Sequence, residues 1–212
     1  MAGVPPATPT RQRLIDAATT LFASQGIHAT TVAEIEGAAG LRAGSGGLHR
    51  HFPTKNDLVR AVLDAQLTRA ETDVVAASEL PRPDPEHALD YLDALGRMML
   101  ERANAHRDIA LIMLRESGTL PEGVLDEHHR RNFDITYSTV AASLRDRADI
   151  VEGELGMDPD ALAFVLLAPI IYFRLIEWAT GSTVLGLTDD TIVATWARVF
   201  EPIVRALADR AD

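Results

Sequence analysis

The sequence predicts an all-α protein with about nine helices, because apolar residues recur at spacings of three and four along most of its 212 residues. Neither a sustained apolar–polar alternation nor an Asn-Gly or Asp-Gly hairpin signal occurs, so strands are not indicated. The low aromatic content, 5%, also suits helix packing better than a β-sandwich.

The first two helices are predicted from their apolar spacing and their end signals. The first runs from Arg11 to Gln25 and ends at Gly26. The second opens at a capping box formed by Thr31 and Glu34, and Gly40 suits the left-handed residue that ends it. The apolar positions of the first helix are Leu14, Ile15, Ala18, Leu21 and Phe22.

A third short helix is predicted between the glycine-rich segment Gly44–Gly47 and Pro53. Leu48 and Phe52, one turn apart, would anchor it to the core while polar residues face outward. Three short helices with a glycine-assisted corner predict a helix-turn-helix; the alternative is an ordinary corner of a helical bundle. The outward polar residues are Ser45, His49 and Arg50.

The remaining residues continue as helices. Thr54 caps a long fourth helix that runs towards Leu80, and the proline-rich segment 81–85 follows as a stiff connection. Further helices are predicted at about 85–104, 107–117, 121–150, 159–180 and 189–209. Asp158-Pro159 and Thr188 are the starts of the last two.

Composition excludes several classes of protein. The absence of Cys removes disulfide scaffolds, thiol nucleophiles, zinc knuckles and iron–sulfur clusters. Met1–Pro9 lacks the cationic start and apolar stretch of a secretory signal. The longest apolar run, residues 161–173, contains Pro169 and is too short to span a bilayer. These observations predict a cytoplasmic protein without a membrane partner.

Basic residues are concentrated near the N-terminus although the net charge is −11. Residues 1–60 carry six basic and four acidic groups, a net charge of +2, whereas residues 61–212 carry 14 and 27, a net charge of −13. A mildly basic head on an acidic body is compatible with one face that meets phosphate.

Residues 11–60 resemble the DNA-binding domain of the tetracycline-repressor (TetR/AcrR) family. The matching positions are Arg13–Gly26, Thr31–Ile35, Ala38–Leu41, Leu48, His51–Lys55 and Leu58. Ala168–Leu175, followed by Thr180-Gly181, is similar to the penultimate helix of many members. Three departures occur in the glycine-rich turn: two extra residues lie between Leu41 and Leu48, Arg42 stands where Ser is common, and His49 replaces the usual Tyr.

The resemblance implies a helix-turn-helix domain at 11–60 and an effector-binding and dimerisation domain at 61–212, after a flexible arm at 1–10. It implies a ligand-responsive transcriptional regulator, a repressor released from duplex operator DNA by a small molecule. The alternative is an all-α ligand-binding or adaptor protein that no longer binds DNA. An enzyme is not expected, since no catalytic motif is found. The residues expected to contact DNA are Thr31, Arg42, Ser45, His49, Arg50 and Lys55, the last being the only lysine.

Bulky, adaptable side chains within about 85–180 predict an effector cavity, although a packed core would show the same composition. The acidic body favours a neutral or cationic, largely apolar effector. The expected effector-binding residues are Met98, Arg102, Met113, Asn132, Phe133, Thr136, Phe164, Tyr172 and Phe173.

A homodimer through the last two long helices is expected, because residues 161–173 are apolar all round. Cofactors and metals are not expected: Gly44–Gly47 lacks P-loop spacing, and the adjacent His128 and His129 cannot share one metal on a helix. The predicted interface residues are Val165, Ile170, Trp196, Val199, Phe200 and Ile203.

Overall fold

The computed structural model describes residues 9–78, 84–116, 118–120, 123, 126, 130 and 135–208. These residues form nine α-helices and three 3₁₀ turns, and none of them lies in a strand, which confirms the all-α prediction. The helices are α1 (Thr10–Gln25), α2 (Val32–Ala38), α3 (Lys55–Ser78), α4 (Ala88–Ala105), α5 (Arg107–Glu116), α6 (Ile135–Arg145), α7 (Ala148–Val151), α8 (Pro159–Thr180) and α9 (Asp189–Ala208). The 3₁₀ turns are Leu48–Arg50, Pro85–His87 and Val184–Gly186.

The described residues fall into two compact units. The N-terminal unit comprises residues 1–69 and 108–128, and therefore contains α1, α2, the start of α3 and nearly all of α5. The C-terminal unit comprises residues 70–107 and 129–212. Predictions that concern residues 1–8, Leu80, 81–83 and most of 121–134 lie outside the described residues.

The N-terminal unit is built on the apolar stripe of α1, whose Leu14, Ala18 and Phe22 are fully buried. The predicted capping box is confirmed: Thr31 Oγ1 accepts from Glu34 N, and the Glu34 carboxylate accepts from Thr31 N. Gly40 takes the expected left-handed conformation, with φ of +72°. Local end signals therefore fix where α1 and α2 stop and start.

The third helix is shorter than the sequence predicts, since only Leu48–Arg50 forms a single 3₁₀ turn. Gly44 and Gly46 both have φ of +71°, which no right-handed helix allows. The extended glycine-rich segment is therefore a turn, and the helical part begins at the buried Leu48.

The C-terminal unit consists of α4, α6, α8 and α9 packed around a common apolar core. Gly96 lets α4 approach α9 closely, because a Cβ there would lie 2.9 Å from Val193 Cγ1. The Asp158 carboxylate caps α8 by accepting from Ala161 N at 2.8 Å, and the left-handed Gly181 ends it. The predicted bounds of α8 are confirmed.

The predicted continuous helix at 121–150 is wrong in its described part, where α6 ends at Arg145 and α7 starts at Ala148. Arg147 lies between them at φ −120° and ψ 33°, outside the helical region. The break contains neither Gly nor Pro, so the sequence carried no signal for it.

Helix α8 is longer than the apolar run within it. Its 22 residues, with a mean hydropathy of 1.8 in the most apolar stretch, would suffice in length and composition to cross a membrane. In the C-terminal unit, however, α8 packs against α4, α6 and α9 and carries Arg174, whose side chain is 7% exposed. Such contacts are typical of the central helix of a globular domain.

Candidate nucleic-acid interface and effector cavity

The polar residues predicted to read DNA surround one buried anchor. Arg42, Ser45, His49 and Arg50 are exposed, whereas Leu48 is fully buried. The His49 ring Nδ1 lies 3.2 Å from the Pro53 carbonyl oxygen. This arrangement presents two arginines, a hydroxyl and an imidazole on the surface of one short segment, which we call the reading segment (residues 42–50).

The Glu36 carboxylate supports the reading segment, a role that the sequence did not predict. Its side chain is fully buried, and its two carboxylate oxygens accept from Leu48 N at 2.9 Å and Ser45 N at 3.1 Å. The Leu48 N–H in particular keeps the pKa of Glu36 below its ordinary value, although burial acts in the opposite direction. No motif flags this residue, because its partners are nine and 12 positions away.

Lys55 is only partly available to DNA. Its ammonium group donates to the Ile27 and Thr30 carbonyl oxygens, which belong to the turn between α1 and α2. Partial burial lowers the pKa of Lys55, while the nearby carboxylates of Glu116 and Glu34 raise it. An ammonium group has three N–H donors, and these two hydrogen bonds use two of them.

Thr31 serves first as a helix cap. Its hydroxyl accepts from Glu34 N at 3.2 Å and donates to the Glu34 carboxylate at 2.7 Å. The residue is nevertheless exposed at the N-terminus of α2, where backbone N–H groups favour an anion.

The end of α5 is hydrogen-bonded to the last turn of α1 and to the turn that follows it, a feature that the sequence did not predict. Arg115 donates to the carbonyl oxygens of Ala23 and Ser24 at 2.8 and 2.7 Å. The buried Glu116 accepts from Ile27 N at 3.0 Å. Gly26 is required beside it, since φ is +90° and a Cβ would lie 2.8 Å from Glu116 Oε1. We call these contacts the α5 clamp.

The structure does not gather the predicted effector residues at one place. Phe173 is buried in the core, whereas Phe164 and Tyr172 are 58% and 60% exposed. Met113 belongs to the N-terminal unit. Met98, Arg102 and Thr136 are half-buried in the C-terminal unit, and Asn132 and Phe133 lie outside the described residues.

The C-terminal unit contains an open cavity of about 460 Å³ with a polar lining. Arg174, the most buried of its charged residues, forms ion pairs with Glu177 and Asp189 and lies over the Phe173 ring at 5.6 Å. Trp178 supplies an aromatic surface in the same wall. The lining residues are Asn104, Arg107, Arg174, Glu177, Trp178 and Gly181.

The predicted dimer residues divide into buried and exposed ones. Ile170, Trp196 and Phe200 are 0%, 4% and 5% exposed and belong to the core of their own unit. Val165 and Val199 are 52% and 63% exposed, and Ile203 is half-buried. The exposed residues alone can meet a partner.

Comparison with known proteins finds a family similarity in the N-terminal segment. Residues 14–62 match the family described as bacterial regulatory proteins, tetR family. A curated relative, the HTH-type transcriptional repressor KstR2 of Rhodococcus jostii, is 47% identical over 53 residues. KstR2 of Mycolicibacterium smegmatis is 43% identical over the same number. The match spans only 25% of this chain and 25% of either relative.

Solved structures share the fold over most of the chain. A transcriptional regulator from Saccharomonospora viridis in complex with choline is 23% identical, with a TM-score of 0.66, and the alignment covers 90% of this chain and 95% of that one. AibR in complex with isovaleryl coenzyme A and operator DNA is 17% identical, with a TM-score of 0.63 and coverage of 92% and 99%. These similarities establish the architecture of both parts of the chain.

Proposed function

We propose that this chain, a member of the tetR family of bacterial regulatory proteins, is a ligand-responsive DNA-binding transcriptional regulator that represses its target genes as a homodimer. The observation that carries the proposal is the exposed reading segment within residues 14–62, the part that matches the family model. Such a protein acts by binding, in the cytoplasm, and no catalytic step is proposed.

DNA recognition would combine two kinds of contact. Arg50, Ser45 and His49 are proposed to contact base edges in the major groove, since they follow one another around the buried Leu48. Arg42, Thr31 and Lys55 are proposed to contact phosphates. Two subunits would place two reading segments about 34 Å apart, in successive major grooves.

Selection of bound sequences from a random duplex DNA pool tests the proposal. We expect one enriched, two-fold symmetric site, and an affinity that falls steeply with salt, with a log–log slope near −0.9 per neutralised phosphate. Absence of enrichment together with absence of salt-dependent binding would favour the alternative, an adaptor that no longer binds DNA.

The homodimer is proposed to form on the exposed apolar surface of α8 and α9. Val165 and Tyr172 lie seven positions apart on one face of α8. Ile192, Val199 and Ile203 share one flank of α9. Exposed apolar residues grouped in this way are typical of an interaction surface.

The effector is proposed to bind in the open cavity. The two arginines and one glutamate of the cavity, together with Trp178, favour a ligand that carries hydrogen-bond acceptors beside an apolar or aromatic part. The acidic composition outside residues 1–60 disfavours an anion. A ligand that is neutral overall, including a zwitterion, satisfies both observations.

The response to effector is proposed to travel along α5 as well as α3. Arg107, at one end of α5, lines the cavity, and Arg115 and Glu116, at the other end, form the α5 clamp. A displacement of α5 would disturb the turn that also binds Lys55, and hence the DNA-binding surface. The coupling must be reciprocal, so bound DNA must lower the affinity for the ligand by the same factor as the ligand lowers the affinity for DNA.

A melting-shift screen of the full chain with neutral and zwitterionic molecules tests the effector site, with choline as reference cation and isovaleryl coenzyme A as reference anion. We expect to find a molecule that raises the melting temperature of the protein and releases the protein from DNA. Neither effect should occur in Trp178→Ala. A hit unaffected by Trp178→Ala would place the effector elsewhere. Arg115→Ala should retain DNA binding but respond less to the hit.

A further inference from the structure

We propose that Glu36 is the positioning residue for the reading segment, and that its buried carboxylate sets the register in which the lengthened glycine-rich turn presents Ser45, His49 and Arg50. This inference rests on the proposed DNA binding. It concerns how the chain reads sequence through a turn that departs from the pattern of the family it resembles.

The Glu36 carboxylate accepts hydrogen bonds from two backbone groups of the lengthened turn. Glu36 Oε1 accepts from Leu48 N and Glu36 Oε2 from Ser45 N, at 2.9 and 3.1 Å. The two oxygens therefore fix the lengthened turn at two points, Ser45 within it and the buried Leu48 at its end. Both partners are backbone groups, so the bonds fix the path of the chain independently of the side chains it displays.

Glycines occupy and flank the stretch between these two bonds. Gly44 and Gly46 have φ of +71°, a conformation that gives the turn its shape but little stiffness of its own. At Gly47 a Cβ would lie 3.1 Å from Leu41 Cδ1, so that side chain would have to give way, and it would reach ordinary van der Waals contact with Glu36 Oε1 at 3.6 Å. A flexible segment that needs a single conformation requires an external support, and Glu36 supplies it.

The support requires a carboxylate and not an amide at position 36. A carboxylate accepts hydrogen bonds at both oxygens, whereas an amide accepts at one and donates at the other. Glutamine at this position would keep the volume but direct its NH₂ group at a backbone N–H. An unmatched buried donor of this kind costs about ten- to hundredfold in the stability of the held conformation.

Glu34 offers a matched control, because it lies on the same helix and its carboxylate also accepts from a backbone N–H, that of Thr31. Its hydrogen bonds to Thr31 form the capping box, and its carboxylate also interacts with Gln25 and Lys55, but none of these groups belongs to the reading segment. Loss of either carboxylate should weaken α2, but only loss of Glu36 should release the reading segment.

The experiment compares Glu36→Gln and Glu34→Gln in the full chain. Amide hydrogen exchange without DNA should be at least about tenfold faster at Ser45 and Leu48 in Glu36→Gln and unchanged there in Glu34→Gln. Sequence selection from a random DNA pool should yield the wild-type site with Glu34→Gln, but a changed or at least about tenfold less discriminated site with Glu36→Gln.

Unchanged exchange at both amides, or an unchanged site with Glu36→Gln, would overturn the inference. A wild-type chain that binds no DNA would refute the proposed function instead, and the exchange measurement would still decide whether Glu36 positions the turn. If Glu36→Gln does not fold, Glu36→Ala combined with deletion of Ser45 and Gly46 provides the second variant. If that combination folds, the Glu36 carboxylate is needed because of the lengthened turn, which supports the inference. If it does not fold, the inference is contradicted.

Discussion

At the scale of single residues, Lys55 has two roles that a mutation can separate. The change Lys55→Met removes the donor to the Ile27 and Thr30 carbonyl oxygens, and we expect it to lower the free energy of unfolding by about 1 kcal/mol. It should also reduce the log–log salt slope of DNA binding by about 0.9, because the third N–H is proposed to meet one phosphate.

Urea unfolding and DNA titrations at several salt concentrations measure the two effects of Lys55→Met. Arg60→Met is the control, since Arg60 is an exposed basic residue on the same helix, and its stability effect should stay below about 0.5 kcal/mol. Unchanged stability in Lys55→Met would contradict the observed hydrogen bonds, and an unchanged slope would assign Lys55 a purely structural role.

A second residue-scale prediction concerns pH and Glu36. The pKa of this carboxyl is lowered in the folded chain, chiefly by the Leu48 N–H, so the ionised form is the one that stabilises the fold. The contribution is therefore fully present above the ordinary pKa of about 4.3 and disappears as the pH falls through the lowered folded value.

We accordingly expect the stability gap between wild type and Glu36→Gln to stay constant from pH 7 down to about 5, and to shrink progressively below about pH 4.3. Chemical unfolding at a series of pH values measures this gap. A gap that widens as the pH falls would contradict the assignment of the ionised carboxylate as the hydrogen-bonded form.

Prediction from sequence succeeded for residues whose partners are close in the chain. The caps at Thr31, Thr54 and Asp158 each bond to a group three positions away, which is why a local pattern reveals them. The partners of Lys55 and Glu116 are 25 and 89 positions away, and no periodicity encodes such distances. Sequence patterns predicted that Ser45, His49 and Arg50 face outward, but not the groups that hold their segment.

At the scale of secondary-structure elements, two glycines of the N-terminal unit make a matched pair. Gly26→Ala places a methyl group 2.8 Å from Glu116 Oε1 at φ +90°, so it should destabilise the fold by about 2 kcal/mol through strain and loss of the α5 clamp. Gly37→Ala, inside α2 with nothing within 4 Å of its Cβ, should stabilise it by about 0.5–1 kcal/mol.

Thermal or urea unfolding of both variants measures these opposite signs. In Gly26→Ala we also expect faster amide exchange at Ile27, whose N–H loses the Glu116 carboxylate. Equal effects of the two substitutions would mean that the α5 clamp does not constrain the turn between α1 and α2.

Elements with strong boundary signals were the ones that sequence located best. The Asp158-Pro159 start and the Gly181 end fixed α8 to the residue. The sequence did not predict the break between α6 and α7, because the break contains no Gly or Pro. It also did not predict the 3₁₀ turn at Leu48–Arg50, because that turn depends on the φ values of Gly44 and Gly46.

At the scale of the whole molecule, burial separates the residues that can form a dimer from those that cannot. Phe200 and Trp196 were predicted at the interface because they share the apolar stripe of α9, yet that stripe faces the core of its own unit. Periodicity identifies an apolar face but not which neighbour covers it. The dimer proposal consequently rests on the flank with Val199 and on the face of α8 with Val165.

Val199→Glu tests this proposal, because the side chain is 63% exposed and a charge there would be desolvated only in a dimer. We expect the variant to sediment as a monomer at micromolar concentration, keep its melting temperature within a few degrees, and bind operator at least about 100-fold more weakly, since a monomer holds a single half-site.

Arg198→Glu is the control: Arg198 is exposed next to Val199 but lies about 100° further round α9, on the flank with Glu201 and Arg205. That variant should remain dimeric. Val165→Glu should reproduce the effect of Val199→Glu from the other helix. A monomeric wild type, or dimers that survive both glutamates, would rule out this surface, and a wild-type chain found bound to lipid vesicles would assign the exposed face of α8 to a membrane instead.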